Sequence, residues 1–234
     1  MTKIGLYMGR FQPFHRGHMY VLRNALEDCD HLIVAIGSAQ ASNTIKNPFS
    51  YQERVDMIVK CLSDEDLFRI TFVGIDDRET ISDDCSWGEY LLEQVEKKTG
   101  LRPQVSYSGV EAQRSHWFDT VGHIDEVVYS RNFKPYSATM IREALMNNDK
   151  ETFYEAMPNF LWDEFLDMQD RLKCVVFSRR FVIEYTEIDE PCFDVRHVTL
   201  NIQNYRINDT LEAAIKRFRI QHPDADILSA EVIE

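Results

Sequence analysis

Between Ile4 and Gly37 the chain runs through a short apolar strand, a turn and an amphipathic helix into a second apolar strand. That order leaves few folds open. Ile4-Gly5-Leu6-Tyr7-Met8 and His31-Leu32-Ile33-Val34-Ala35-Ile36-Gly37 are continuous apolar runs, the pattern of strands buried on both faces. From about Gly17 the apolar Met19, Val21, Leu22, Ala25 and Leu26 follow helical spacing. Two strands joined through a helix lie parallel, so the opening segment is a βαβ unit.

The alternation continues. Ser50-Tyr51-Gln52-Glu53 is a capping box that starts a helix with Val55, Met57, Ile58, Cys61 and Leu62 on its apolar face. Arg69–Ile75, Gln104–Tyr107 and Glu126–Tyr129 read as further strands, and Trp87–Thr99 as a helix after an acidic loop at Asp76–Ser86. Ser137 opens another helix, and two more helical stretches reach Arg171. The expected fold is α/β: a doubly wound, mainly parallel five-stranded Rossmann-like sheet, with its ligand beyond the carboxyl ends of the strands. Near Leu172 the pattern changes. Cys174–Thr186 and Val195–Tyr205 read as consecutive strands, Thr210–Gln221 as a helix and Ile227–Ile233 as a last strand. The expected domains are therefore 1–172 and a small α+β, ββαβ appendage at 173–234.

Charge and cysteine usage narrow the function. With 39 acidic and 26 basic residues the net charge is -13, a field that disfavours nucleic acid and anionic membranes as partners. The five cysteines form neither a C-x-x-C pair nor an even framework, which fits reduced thiols in a cytoplasmic protein. No run approaches the ~20 apolar residues of a membrane span, and the polar Arg10, Gln12, His15, Arg16 and His18 exclude a signal peptide. Homo-oligomers are compatible with all of this.

Gly9-Arg10-Phe11-Gln12-Pro13-Phe14-His15-Arg16-Gly17-His18 lies between the first strand and the first helix. Free N–H groups at a helix start favour anions, Gly17 lets a phosphate approach the main chain, and Arg10 offers a two-pronged fork. An arbitrary H-x-x-H is usually a pair of ordinary histidines. Here strand, Arg, Pro, two His, Gly and helix occur together. Neither G-x-G-x-x-G nor G-x-x-x-x-G-K-[ST] is present, so this is no dinucleotide fingerprint and no P-loop. Ser137, Thr139 and Arg142 form a second helix-start group. Taken singly, Ser137 is a helix cap and Arg142 a solvated charge. Together the two groups can hold the two ends of a triphosphate, which suffices for phosphoryl chemistry by positioning and charge neutralisation.

The segment GRFQPFHRGH resembles the H-x-G-H nucleotidyltransferases, and in particular the archaeal-type nicotinamide mononucleotide adenylyltransferases. Gly37-Ser38-Ala39-Gln40 through Asn47-Pro48-Phe49 to Glu53-Arg54, Trp87 after an acidic loop, and Ser137–Arg142 are similar to further motifs of that family, in order. The resemblance covers about residues 1–150. It implies transfer of an adenylyl group from ATP, with Mg²⁺, to nicotinamide mononucleotide, giving NAD and pyrophosphate. It further implies His15, His18 and Arg142 as catalytic residues, and Gly9, Arg10, Phe11, His15, Gly17, His18, Ser137, Thr139 and Arg142 as ATP-binding. Trp87, Asp76, Asp77, Ser38 and Lys46 are implied on the acceptor side, and no protein-held metal. A lone Trp is usually core, but Trp87 begins a helix after a polar loop, which suits stacking on a base; Asp76 and Asp77 read as acceptors for a carboxamide, as holders of the site's shape, or as a solvated turn. Lys46 stands where the family often has Arg, and the segment Tyr107–Arg114 departs from the family. Gln12, where relatives acting on other acceptors usually carry Asp, favours the nicotinamide branch. The alternatives are another phosphate acceptor and a nucleotide sensor without turnover. No Nudix signature follows residue 150.

Overall fold

The structure, a computed structural model, describes residues 2–78, 87–109, 117–119, 121, 123–130, 136–176, 178–187, 196–203, 211–223 and 225–233. Cys85, Cys192, Arg114 and most of the acidic loop lie outside the described residues.

Contacts divide the chain into two compact units, Met1–Gln169 and Asp170–Glu234. In the first, β1 (Ile4–Gly9), β2 (His31–Gly37), β3 (Ile70–Ile75), β4 (Val105–Gly109) and β5 (Asp125–Tyr129) form one sheet in the order β3-β2-β1-β4-β5. Every pairing is parallel. β1 therefore occupies the centre, where the strand order reverses and a crevice opens. α1 (Arg16–Asp28) makes the first crossover, and α2 (Tyr51–Val59) and α3 (Asp64–Phe68) lie between β2 and β3. α4 (Trp87–Thr99) precedes β4, and α5 (Ala138–Met146) and α6 (Lys150–Ala156) follow β5.

Both faces of the central strands are covered. Leu6, Met8, Ile33, Ala35, Val73 and Ile75 form one apolar layer with Leu91, Leu92 and Val95 of α4. Leu32, Val34 and Ile36 alternate to the other face and are equally buried, as are Val21, Leu22 and Ala25 of α1. Burial of each such side chain contributes roughly 1.5–3 kcal/mol, so the sheet's carboxyl edge is a stiff platform.

Two readings need correction. α3 was not expected; Ser63 and Asp66 make a second capping box there, but the helix is too short to show a period. Cys174–Val176 belong to α7 (Phe165–Val176), not to a strand. The β-rich look of that stretch yields to the helical spacing of the buried Met168, Leu172 and Val175. A 3-10 turn at Asn159–Glu164 precedes α7.

The second unit has the expected ββαβ order: β6 (Ser178–Glu187), β7 (Arg196–Gln203), α8 (Leu211–Gln221) and β8 (Ala225–Ile233). Its sheet is antiparallel with β6 central, and Ile183, Tyr185 and Phe218 are its core. Among the described residues no helix is long and apolar enough to cross a membrane.

Candidate nucleotide site

Soon after β1 and β2 the chain passes through residues with left-handed backbone, Phe11 at φ +51° and Ser38 at φ +48°. For side-chain-bearing residues such conformations cost on the order of 1–3 kcal/mol and need support from their surroundings. The buried Phe11 ring packs against Tyr7, Phe14 and His18 at centroid distances of 5.5, 5.9 and 4.9 Å. A Cβ on Gly9 would stand 2.6 Å from that ring, so the strand must end in glycine for Phe11 to fold back. Ser38 donates from Oγ to Asp77 Oδ1 at 3.0 Å, and its carbonyl accepts from Arg54 at 3.1 Å.

His15 is the N-cap of α1. Its Nδ1 accepts from the His18 main-chain N–H at 3.4 Å, and the two imidazoles stack at 3.6 Å. With Nδ1 accepting, a neutral His15 carries its proton on Nε2 and donates from there. Gly17 is buried in the first turn, and Arg16 donates from Nε to the Met157 carbonyl at 3.0 Å. Ser137 caps α5 by accepting from the Met140 N–H at 3.2 Å.

Arg142 connects the two helix starts. It donates to the Gln12 carbonyl at 2.7 Å and to Thr139 Oγ1 at 3.2 Å, joining residues 130 positions apart. Burial lowers its pKa first, and the charge of Arg10 second. Arg10, itself exposed, also depresses Arg54. Arg10 and Arg142 thus place mutually opposing positive charge at one edge of a protein of charge -13. The structure thus brings together Gly9, Arg10, Phe11, His15, Gly17, His18, Ser137, Thr139 and Arg142.

On the other side, both oxygens of Asp77 are engaged, one by Ser38 and the other by Gln40 Nε2 at 3.1 Å, while the Asp77 N–H returns to Gln40 Oε1 at 3.1 Å. Asp77 thus has the bonds of a shape-holding residue. The Asp76 carbonyl accepts from the Tyr90 hydroxyl at 3.1 Å. Trp87 opens α4, lies 5.3 Å from Tyr90 and 6.0 Å from Trp117, and packs against the apolar layer; no described residue accepts from its buried Nε1. Lys46 is exposed, and no hydrogen bond or ion pair among the described residues joins it to this group.

Two residues of the site escaped the sequence-based assignment of roles. Arg54 is fully buried and bonds to main-chain carbonyls of both loops; Gln12 is buried and bonds to Phe49. The signal for Arg54 was present. It stands one turn before Met57 and Ile58, on the apolar face of a capped helix, where a charge is anomalous.

These features define a class. The sequence pattern of the Cytidylyltransferase-like family matches residues 6–144, more than half of the chain, and the chain belongs to that family. Within it the chain is 34% identical over 179 residues to the nicotinamide-nucleotide adenylyltransferase of Saccharolobus solfataricus, a match spanning 74% of this chain and 96% of that protein. It is 36% identical over 140 residues to the nicotinamide/nicotinic acid mononucleotide adenylyltransferase of Acinetobacter baylyi, covering 59% of this chain and 73% of the relative. The chain is a member of the nicotinamide-nucleotide adenylyltransferases, and an enzyme. Its fold resembles that of a bifunctional NMN adenylyltransferase/ADP ribose pyrophosphatase from Francisella tularensis, at TM-score 0.59 and 21% identity over 93% of this chain and 72% of the other.

Proposed function

We propose that the chain joins ATP and nicotinamide mononucleotide into NAD with release of pyrophosphate. An oxygen of the acceptor's phosphate attacks the α-phosphorus of ATP in line. The bond from that phosphorus to the bridging oxygen breaks, and pyrophosphate leaves with the electron pair. No protein nucleophile is required, because positioning and charge neutralisation carry the reaction. The observation that carries this reading is the Arg142 bridge, which puts two helix starts at one edge for two ends of one triphosphate. In it His15 and His18 donate to the charge that develops at the α-phosphate, and Arg142, with Arg10, grips the leaving pyrophosphate. Trp87 stacks on the nicotinamide ring, with Asp76, Asp77, Ser38 and Lys46 around the acceptor.

Among the described residues no three His, Cys, Asp or Glu side chains stand together as a metal cage. A hard cation such as Mg²⁺ would accompany ATP at the site. Such an ion supplies charge neutralisation along the phosphates. A structure of the Francisella enzyme holds AMP and a manganese ion.

Mixing the chain with radiolabelled ATP and nicotinamide mononucleotide, its nicotinic acid form, phosphopantetheine or glycerol phosphate tests the proposal. Pyrophosphate with labelled NAD supports it. Turnover with only another acceptor moves it within the family, and ATP binding without pyrophosphate makes the chain a sensor.

A further inference from the structure

Arg54 and Gln12 are 0% and 2% exposed, and their side-chain hydrogen bonds all go to main-chain atoms. The Arg54 guanidinium donates to the carbonyls of Arg10 at 2.9 Å, Gly37 at 2.7 Å, Ser38 at 3.1 Å and, within its own helix, Ser50 at 3.1 Å. The Gln12 amide donates to the Phe49 carbonyl at 2.8 Å and accepts from the Phe49 N–H at 2.9 Å. The Gly9–His15 loop is thereby fastened to the segments after β2 from beneath.

Packing alone does not explain these residues. Among the described residues no carboxylate forms an ion pair with Arg54, although Asp77 favours its charge from further off; burial is the largest influence on its pKa, which falls to about 10, and the group stays charged at neutral pH. An apolar side chain of similar volume would fill the space without desolvating a charge. What arginine adds is a planar fork that fixes several carbonyls at once. Those carbonyls matter because a loop that receives phosphate must turn its oxygens away from it. In a planar trans peptide the next N–H points opposite to the carbonyl. Holding the Arg10 and Gly37 oxygens therefore directs the Phe11 and Ser38 N–H groups away from the guanidinium. Gln12 meets a similar demand, since a carboxylate there could accept from Phe49 but not donate to it.

We infer that Arg54 and Gln12 form a buried clamp that preorganises the Gly9–His15 loop for phosphate, as positioning residues for adenylyl transfer that touch neither substrate. The inference deepens the proposed function and rests on it. Preorganised main-chain geometry lowers the cost of binding and of reaching the transition state.

Arg54→Lys, Gln12→Met and the double variant test it, with kcat and both KM values measured where circular dichroism shows each variant folded. Each single variant loses at least ten-fold in kcat/KM for ATP, with part of the loss in kcat. The double variant loses less than the product of the two, because both act through one loop. A role in packing alone would lower Tm and leave the kinetics of folded molecules unchanged. Folded variants that keep kcat and the ATP KM within two-fold overturn the inference. Hydrogen exchange of the unsubstituted, nucleotide-free protein needs no variant. Residues 9–18 exchange well below the random-coil rate, and ATP adds little protection. Random-coil exchange that slows only with ATP overturns the clamp. The two readings fail separately: turnover of the unsubstituted chain decides the reaction, and exchange decides the clamp.

Discussion

Replacing Arg142 with alanine should separate catalysis from stability. The side chain is half-buried and makes one short charge-assisted bond, to the Gln12 carbonyl at 2.7 Å. Bonds of that kind contribute about 1.5–3 kcal/mol. Two changes offset the loss: the guanidinium no longer has to be desolvated, and its opposition to Arg10 disappears. The net cost is about 1 kcal/mol, or roughly 2–4 °C in Tm for a chain of this size. The catalytic loss is larger. Removing one preorganised donor from a developing charge lowers the rate roughly 10²–10³-fold, about 2.7–4 kcal/mol. Pyrophosphate release with each substrate varied in turn should therefore show a defect of that size in kcat/KM for ATP. Arg142→Lys should fall between, because it keeps the charge and loses the fork. A defect confined to the acceptor's KM would refute the assignment of Arg142 to the triphosphate.

The histidine pair should behave asymmetrically. His18→Ala lowers turnover with little effect on Tm, whereas His15→Ala also removes the α1 cap at about 0.5–2 kcal/mol. His15→Asn should recover the stability but not the turnover; a fully active His15→Asn would reduce His15 to a cap. Trp87→Ala should raise the acceptor's KM by up to about 30-fold, matching the ~0.5–2 kcal/mol of a cation on an indole face, and leave that of ATP unchanged. The nicotinamide form should be the better acceptor than its acid, which brings a further negative charge toward Asp76 and Asp77; direct competition measures this, and preference for the acid contradicts it. Gly88→Ala should be severely destabilising, because its Cβ would lie 1.9 Å from the Trp117 carbonyl oxygen, a main-chain atom with little room to move. An unchanged urea midpoint would show that Trp117 yields.

The centre of the sheet was legible because β1 and β2 are apolar runs, and helix starts were legible from caps such as Ser50 with Glu53. The two helix-start groups proposed to bind anions could be placed because local chain order dictates position there. What joins them was not legible. The Arg142 bond to Gln12 spans 130 residues, and nothing at either position announces the other. Arg54 received no role: its helix was placed and it fell within a family motif, but neither said that its guanidinium is buried against main-chain carbonyls. At Cys174–Val176 local propensity favoured a strand and tertiary packing chose helix. The family resemblance grouped Asp77 with Ser38 without revealing that both carboxylate oxygens of Asp77 are engaged.

The central place of β1 has a consequence for synthesis. Its two neighbours are β2, which follows within 37 residues of the start, and β4, which begins at Val105. A nascent chain that has not yet reached β4 therefore holds β1 as an unpaired edge, with Gly5, Leu6 and Tyr7 offering main-chain groups to any passing strand. Each ribosome exposes the same apolar edge from Gly37, where β2 ends, until Val105, where β4 begins, so neighbouring nascent chains on one message are each other's readiest partners. Expression yield should thus fall sharply in fragments ending before Val105 and recover in those that include it.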